Sequence, residues 1–231
     1  MTGWTVWGSD MKTKIKTAAD ILMTAALPVL MCYSIVGEMA HELIGIMMFC
    51  LLILHHVLNF GSVKSLFKGK YPPKRIIGTT VNVLIFVCMI GLMGSSLVIS
   101  KHVFAFLHLG GAGLARSVHL LCVYWGLVFM SVHLGMHVPQ ILTRIGWKQK
   151  APGWLRILSG IVALLGVISF VRLKVADYLF ARAQFVFLDT AAPAWLTCLQ
   201  YLSIVILFAV AGYLVSLVRW TGRKDREGGS V

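Results

Sequence analysis

The 231-residue chain is 58% apolar and 13% charged, whereas soluble domains average about 45–50% apolar and about 25% charged residues. Together with a mean hydropathy of +0.85, this composition excludes a disordered chain, a collagen, a disulfide miniprotein and an ordinary cytosolic enzyme. It predicts an all-α integral membrane protein, because helices satisfy their backbone hydrogen bonds internally. The net charge of +13 indicates membrane orientation rather than nucleic-acid binding, because the basic residues lie between apolar runs.

Six apolar runs are long enough to cross a bilayer, which takes about 20 residues in a helix. These predicted transmembrane helices are 17–37, 41–60, 76–99, 117–138, 155–174 and 196–218. Basic or glycine-rich links separate most of them, and we expect the stretch 175–195 to lie along the membrane interface. The chain is therefore expected to form a single membrane domain over 1–231. A four-helix core of two repeated hairpins would span 17–138, with two additional helices at 155–218.

The distribution of charge between the links predicts the orientation of the chain. If both termini lie on the same side of the membrane, most of the 21 Lys and Arg residues fall in segments on that side. Positive segments face the cytoplasm, so we expect both termini on the cytoplasmic side of the membrane. The second and fourth predicted helices then both run from outside to inside, and are parallel.

Six of the eight histidines lie in those two parallel helices, and their spacing matches. His41 and His55 are 14 residues apart, as are His119 and His133. Fourteen residues return to within about 40° on a helix and advance it by roughly 21 Å. Each helix therefore presents one histidine near the outer face and one near the inner face, so that two pairs face each other at two depths.

Two facing imidazoles suit haem iron, which takes axial ligands from opposite sides of a flat ring. Zinc prefers four ligands, or three and a water, and each depth offers two clear ones. The spacing therefore predicts two non-covalent b-type haems, because no CxxCH attachment motif is present in the sequence. His41 and His119 would bind the outer iron, and His55 and His133 the inner one. His56 and His137 remain alternatives for the inner haem.

Other residues near these positions are open to two interpretations. Arg116, one turn before His119, is placed either to meet a haem propionate or to anchor the helix end. Gly126, midway between His119 and His133, either leaves room between two rings or packs a neighbouring helix. Glu38 and Glu42 flank His41 and either orient it or form a solvated turn. The five single cysteines are expected to pack as small apolar residues rather than as a disulfide framework.

The segments around these histidines are similar to a known family. HELIGIMMFCLLILHHVLNFGSVKSLFKGKY, HVFAF and ARSVHLLCVYWGLVFMSVHLGMH resemble the flavinylation-associated transmembrane cytochromes, most strongly over 36–138. Comparable histidines occur in the cytochrome b subunits of formate dehydrogenases and hydrogenases. The resemblance implies a small bacterial membrane protein that binds b-type haem beside flavin-carrying redox partners. Its histidines carry over to His41, to His55 or His56, to His119, and to His133 or His137.

These observations lead to three functional hypotheses. The first is a di-haem cytochrome that moves electrons across the membrane between a quinol or dehydrogenase and a redox partner, which the resemblance suggests carries flavin. The chain shows no catalytic nucleophile or acid–base pair, so we expect an electron-transfer subunit of an oxidoreductase system. The second is a haem-sensing, haem-sequestering or detoxifying membrane protein, which some clostridial relatives resemble. The third, a histidine-lined transporter or proton channel, is disfavoured because no pair of broken helices occurs.

Overall fold

The computed structural model describes residues 3–65, 69, 71–144, 146–147, 152–183, 185 and 193–218. Over these residues the chain is helical and contains no strand. Its α-helices are α1 (Gly3–Met31), α2 (Tyr33–Val36), α3 (Glu38–Leu58), α4 (Phe60–Ser65), α5 (Pro73–Ile99), α6 (Ala112–Arg144), α7 (Gly153–Arg172), α8 (Val175–Leu179) and α9 (Ala194–Leu217), and a 3₁₀ turn covers Ala105–Leu107. The basic residues expected to mark the inner side at Lys68, Lys70, Lys148, Lys150 and 219–226 lie outside the described residues.

Five of the described helices, α3, α5, α6, α7 and α9, are long and apolar enough to cross a membrane. The first predicted helix, 17–37, is not among them, so six membrane-spanning helices are not confirmed. Its residues belong to α1, which carries Lys14, Lys16 and Asp20, and to the separate short helix α2. The break falls at Cys32, which lies between the two.

Proline positions several of the helix boundaries. Pro73 occupies the first turn of α5, and Pro152 and Pro193 precede α7 and α9, where proline's fixed φ suits a helix start. Pro139 does not end α6, which continues to Arg144. The helix therefore extends beyond the predicted end at residue 138, because one internal proline kinks a helix without necessarily ending it.

The beginning of the stretch 175–195, which we expected along the membrane interface, packs against other helices. Helix α8 is inserted into the bundle, with Val175 and Tyr178 buried. The Tyr178 ring stacks on that of Tyr124 in α6, with ring centres 4.3 Å apart. Trp125 Nε1 also donates to the Leu179 carbonyl oxygen at 2.9 Å. These contacts hold the start of the stretch against α6.

Helix α6 is central to the packing, with α5 and α9 as its main neighbours, while α7 packs on α9 and α1 on α3. The pairs Tyr124–Tyr201 and Gly135–Ala209 show that α6 and α9 run parallel. Small residues allow this close approach, since a Cβ on Gly135 would overlap the Ala209 backbone and one on Gly212 would overlap that of Val132.

A disulfide joins Cys32 to Cys198, whose Cα atoms are 5.5 Å apart. The expectation that every cysteine packs as a free thiol is therefore wrong for this pair. Spacing in the sequence could not reveal it, because 166 residues separate the two. The bond ties the residue after α1 to the first turns of α9, at the end of the molecule that also holds His41.

Candidate functional site

The structure brings together the two histidines predicted for the outer site. The rings of His41 in α3 and His119 in α6 have centres 6.4 Å apart and planes inclined at 60°. Two metal–nitrogen bonds of about 2 Å, plus ~1 Å from each nitrogen to its ring centre, separate two trans imidazoles by about 6 Å. The observed spacing therefore suits one metal ion between the two rings, as in bis-histidine haem.

The polar atoms around His119 contact its Nδ1 nitrogen, and the backbone of Leu92 offers the ring a further hydrogen bond. His119 Nδ1 lies 3.2 Å from Ser95 Oγ and 3.3 Å from Ser96 Oγ, both on α5. The Ser95 hydroxyl donates to the Gly91 carbonyl oxygen at 2.7 Å, so it is placed to accept from an Nδ1–H group. A hydrogen bond of this kind fixes the tautomer and orients the other nitrogen of a metal-bound histidine.

His41 carries a buried polar atom that lacks a partner. Among the buried side-chain nitrogen and oxygen atoms of the described residues, His41 Nδ1 is the one that makes no hydrogen bond. The backbone of Leu30 in α1 offers the ring a hydrogen bond, and the Tyr33 ring meets it edge-on at 5.3 Å. A buried nitrogen without a partner costs free energy, and a ligand at this position would remove that cost.

Helices α3 and α6 are not closely packed beside the outer histidine pair. The backbones of α3 and α6 do not pack closely, because α3 packs mainly on α1 and α6 mainly on α5 and α9. Gly45 lies one turn after His41 on the same face of α3, and a Cβ added there would meet nothing within 4 Å. Further along, Met48 and Leu52 of α3 join Met89 of α5 in one buried cluster, so α3 and α5 meet between the two histidine levels.

The inner histidines form a cluster with more polar groups than the outer pair. His55 Nδ1 lies 2.7 Å from the Asp20 Oδ1 atom of α1. The rings of His133 and His137 are 4.5 Å apart, and His137 Nδ1 lies 3.0 Å from Gln140 Oε1. His133 interacts electrostatically with both His137 and His55, so these three histidines share one end of the bundle.

His56 lies beside that cluster, with its ring centre 5.7 Å from that of His55. Its ring lies 5.8 Å from Phe86 of α5, and its Nδ1 bonds the Leu52 carbonyl oxygen one turn earlier at 2.9 Å. This placement agrees with the 100° rotation between adjacent helical residues. The choice between His133 and His137 is not settled by these contacts, because both lie near His55.

The acidic residues beside His41 bind the outer loop rather than the histidine. The Glu42 carboxylate accepts from Ser100 Oγ at 2.7 Å and from the backbone N–H groups of Lys101 and Val103 at 2.8 and 3.0 Å. Glu38 forms an ion pair and a hydrogen bond with Lys101. The hydrogen bond raises the pKa of Lys101 above its usual value. These contacts hold the loop that follows α5 against the start of α3.

The two remaining candidate residues, Arg116 and Gly126, have different surroundings. Arg116 is exposed on α6, and its guanidinium lies 5.5 Å from the centre of the Phe185 ring. A Cβ added to Gly126 would meet Cys88 Cβ of α5 at 3.8 Å, an ordinary contact. Close packing therefore does not require glycine at 126, in contrast to Gly135. The contact of Arg116 with a propionate stays a prediction.

Sequence reasoning missed Asp20, Ser95 and Ser96 as neighbours of the histidines. Asp20 was detectable, because a carboxylate inside an otherwise apolar run is costly and usually has a partner. The two serines gave no such signal, since serine is common in membrane helices. Their position opposite His119 depends on how α5 rotates against α6, which spacing within one helix does not determine.

The comparisons with known proteins found no family model, no curated protein and no solved structure that matches the chain. Over the described residues, no group of three or more His, Cys, Asp or Glu side chains is placed to hold a metal ion. Bis-histidine haem takes only two protein ligands, so that finding does not bear on the pairs described above.

Proposed function

We propose that the protein is a b-type di-haem membrane cytochrome that transfers electrons across a bacterial plasma membrane. The observation that carries this proposal is the His41–His119 pair, whose ring centres lie 6.4 Å apart. Bound haem would supply one-electron redox chemistry, and the protein would hold it, bury it and set its potential. His41 and His119 would hold the outer haem, and His55 and His133 the inner one.

Three features of the chain support this assignment. The buried Nδ1 of His41 lacks a hydrogen-bond partner, and the other ring of the pair is oriented by Ser95 and Ser96. Gly45 faces open space on the same side of α3 as His41. A flat apolar ring between α3 and α6 would fill that space and satisfy the unpartnered nitrogen.

The proposed orientation places both termini in the cytoplasm. The Cys32–Cys198 disulfide then lies at the outer end of the bundle. Disulfides persist in oxidising compartments outside the cytoplasm, so its position supports the orientation given by the basic residues. Electrons would be exchanged with a quinol or a dehydrogenase and with a redox partner, for which a flavoprotein is our proposal.

Single histidine variants test the ligand assignment. We expect His41→Ala or His119→Ala to remove one haem and to leave the other, as judged by the reduced-minus-oxidised visible spectrum and by haem per chain. His102→Ala and His108→Ala, both in the outer loop, serve as controls and should retain both haems. Two intact haems in His41→Ala and in His119→Ala would refute the assignment of the outer site.

A second measurement separates electron transfer from haem sequestration, which uses the same ligands. A quinol analogue should reduce the haems of the purified protein within the time of a catalytic turnover. Haem that binds stoichiometrically and yet stays oxidised under these conditions would favour sequestration or sensing. A colourless purified protein would contradict both and favour the channel hypothesis.

A further inference from the structure

The two histidine levels differ in the charge of the groups that contact them. At the inner level, the Asp20 carboxylate accepts a hydrogen bond from His55 Nδ1, with 2.7 Å between the heavy atoms. The two side chains are 43% and 28% exposed, so water screens this contact only in part. At the outer level, His119 Nδ1 meets the neutral hydroxyls of Ser95 and Ser96.

The contact also distinguishes His55 from the adjacent His56. With its Nδ1–H directed at Asp20, His55 keeps the lone pair of Nε2 for a ligand. His55 also lies near His133 and His137 of α6. His56 is anchored to its own helix at Leu52 and lies against Phe86 of α5. Of the two neighbours, His55 alone combines an orienting carboxylate with proximity to the facing histidines.

We infer that Asp20 is a positioning residue that selects His55 as the inner ligand and makes the inner haem the more reducing of the two. This inference rests on the proposed function. A carboxylate that accepts the Nδ1–H bond makes a histidine a more basic ligand, and its negative charge stabilises the ferric over the ferrous state. The serine hydroxyls at the outer level exert a weaker effect because they carry no charge.

The order of the two potentials gives the electron a preferred direction. Haems held by His55 with His133 and by His41 with His119 would supply one-electron transfer from the inner level to the outer level, with no proton or bond exchanged. The spacing along α3 and α6 separates the two levels by roughly 21 Å along the helix axis. In the orientation proposed above, electrons move outwards, from a donor on the cytoplasmic side to an acceptor outside.

The order of potentials is tested first with variants that each keep one haem. In an optical redox titration of the purified full-length protein, the haem that remains in His41→Ala is the inner one, and the haem that remains in His133→Ala is the outer one. We expect a lower midpoint potential for the former. The reverse order would overturn the inference while leaving the di-haem proposal intact, whereas a wild-type protein without haem would remove the proposed function itself.

The role of Asp20 is tested by Asp20→Asn, which keeps the shape and an oxygen acceptor but removes the charge. We expect the lower midpoint potential to rise and the upper one to stay unchanged, with Asp20→Glu restoring the lower value. Asp177→Asn removes a carboxylate from α8 and serves as the control. If Asp20→Asn loses only the inner haem and Asp20→Glu keeps it, the positioning role is supported. Both haems retained with unchanged potentials would overturn it.

Discussion

The two sides of α6 show how the same helix is used for stability and for a site. Towards α9, a Cβ on Gly135 or on Gly212 would overlap the backbone of the opposite helix, so the two backbones touch. Towards α3, the backbones do not pack closely, His41 faces His119, and Gly45 faces open space. The side of α6 that faces α9 is therefore closed, whereas the side that faces α3 is open, and we propose that a planar cofactor binds on the open side.

The largest expected effect is on the closed side. Gly135→Ala places a methyl group on the backbone of Ala209, which cannot move aside as a side chain can. We expect a loss of about 3 kcal/mol of stability, at the upper end of the usual cost of overpacking. The measurement is thermal unfolding in detergent, followed by circular dichroism.

Gly126→Ala is the matched control, because it changes the same residue type in the same helix. Its Cβ would meet only Cys88 Cβ, at 3.8 Å, and alanine is the better helix former. We expect unfolding close to that of the wild type. Equal destabilisation of the two variants would contradict the closer approach of α9 to α6 at Gly135 than of α5 to α6 at Gly126.

A bulky residue on the open side should block the site without disturbing the fold. Gly45→Leu extends a side chain into the space beside His41, where we expect loss of the outer haem and retention of the inner one. The measurement is haem per chain. Gly94→Leu is the control, since a Cβ at Gly94 also meets nothing within 4 Å and that glycine is exposed on α5. Loss of haem from both variants, or from neither, would contradict the placement of the site.

A smaller effect is expected from the groups that orient His119. The double variant Ser95→Ala, Ser96→Ala removes both hydroxyls near its Nδ1, and outer-shell changes of this kind cost about 10-fold or more in affinity. We expect the outer haem to transfer more readily to a haem acceptor such as apomyoglobin, at an unchanged rate for the inner haem. An equal change for both haems would indicate a general loosening of the bundle.

The smallest expected effect concerns the outer loop. Because Glu38 raises the pKa of Lys101, the ion pair stabilises the fold below the ordinary lysine pKa of about 10.4. This stabilisation is lost as the pH rises through the higher pKa of the folded state. We expect Lys101→Met to unfold at slightly lower temperature than the wild type at pH 8, with the difference vanishing at strongly alkaline pH. A difference that persists there would point to packing rather than charge.

The sequence allowed the helical membrane class to be predicted because hydropathy and backbone hydrogen bonding act locally. The outer histidines could be paired from their 14-residue spacing, since it fixes both depth and face. The contact of Asp20 with His55, the serines opposite His119 and the Cys32–Cys198 bond depend on how different helices rotate against each other. The break at Cys32, which leaves the first predicted span outside the five, was not predicted from hydropathy, because the residues on both sides of it are apolar.

The most direct test of the central claim is haem stoichiometry combined with the visible spectrum of the purified wild-type protein. We predict two non-covalent b-type haems per chain, with the low-spin spectrum that two histidine ligands give in both oxidation states. A protein that is purified folded from haem-supplied cells and remains colourless would contradict the account. So would a high-spin spectrum, which would indicate that the facing imidazoles do not share an iron.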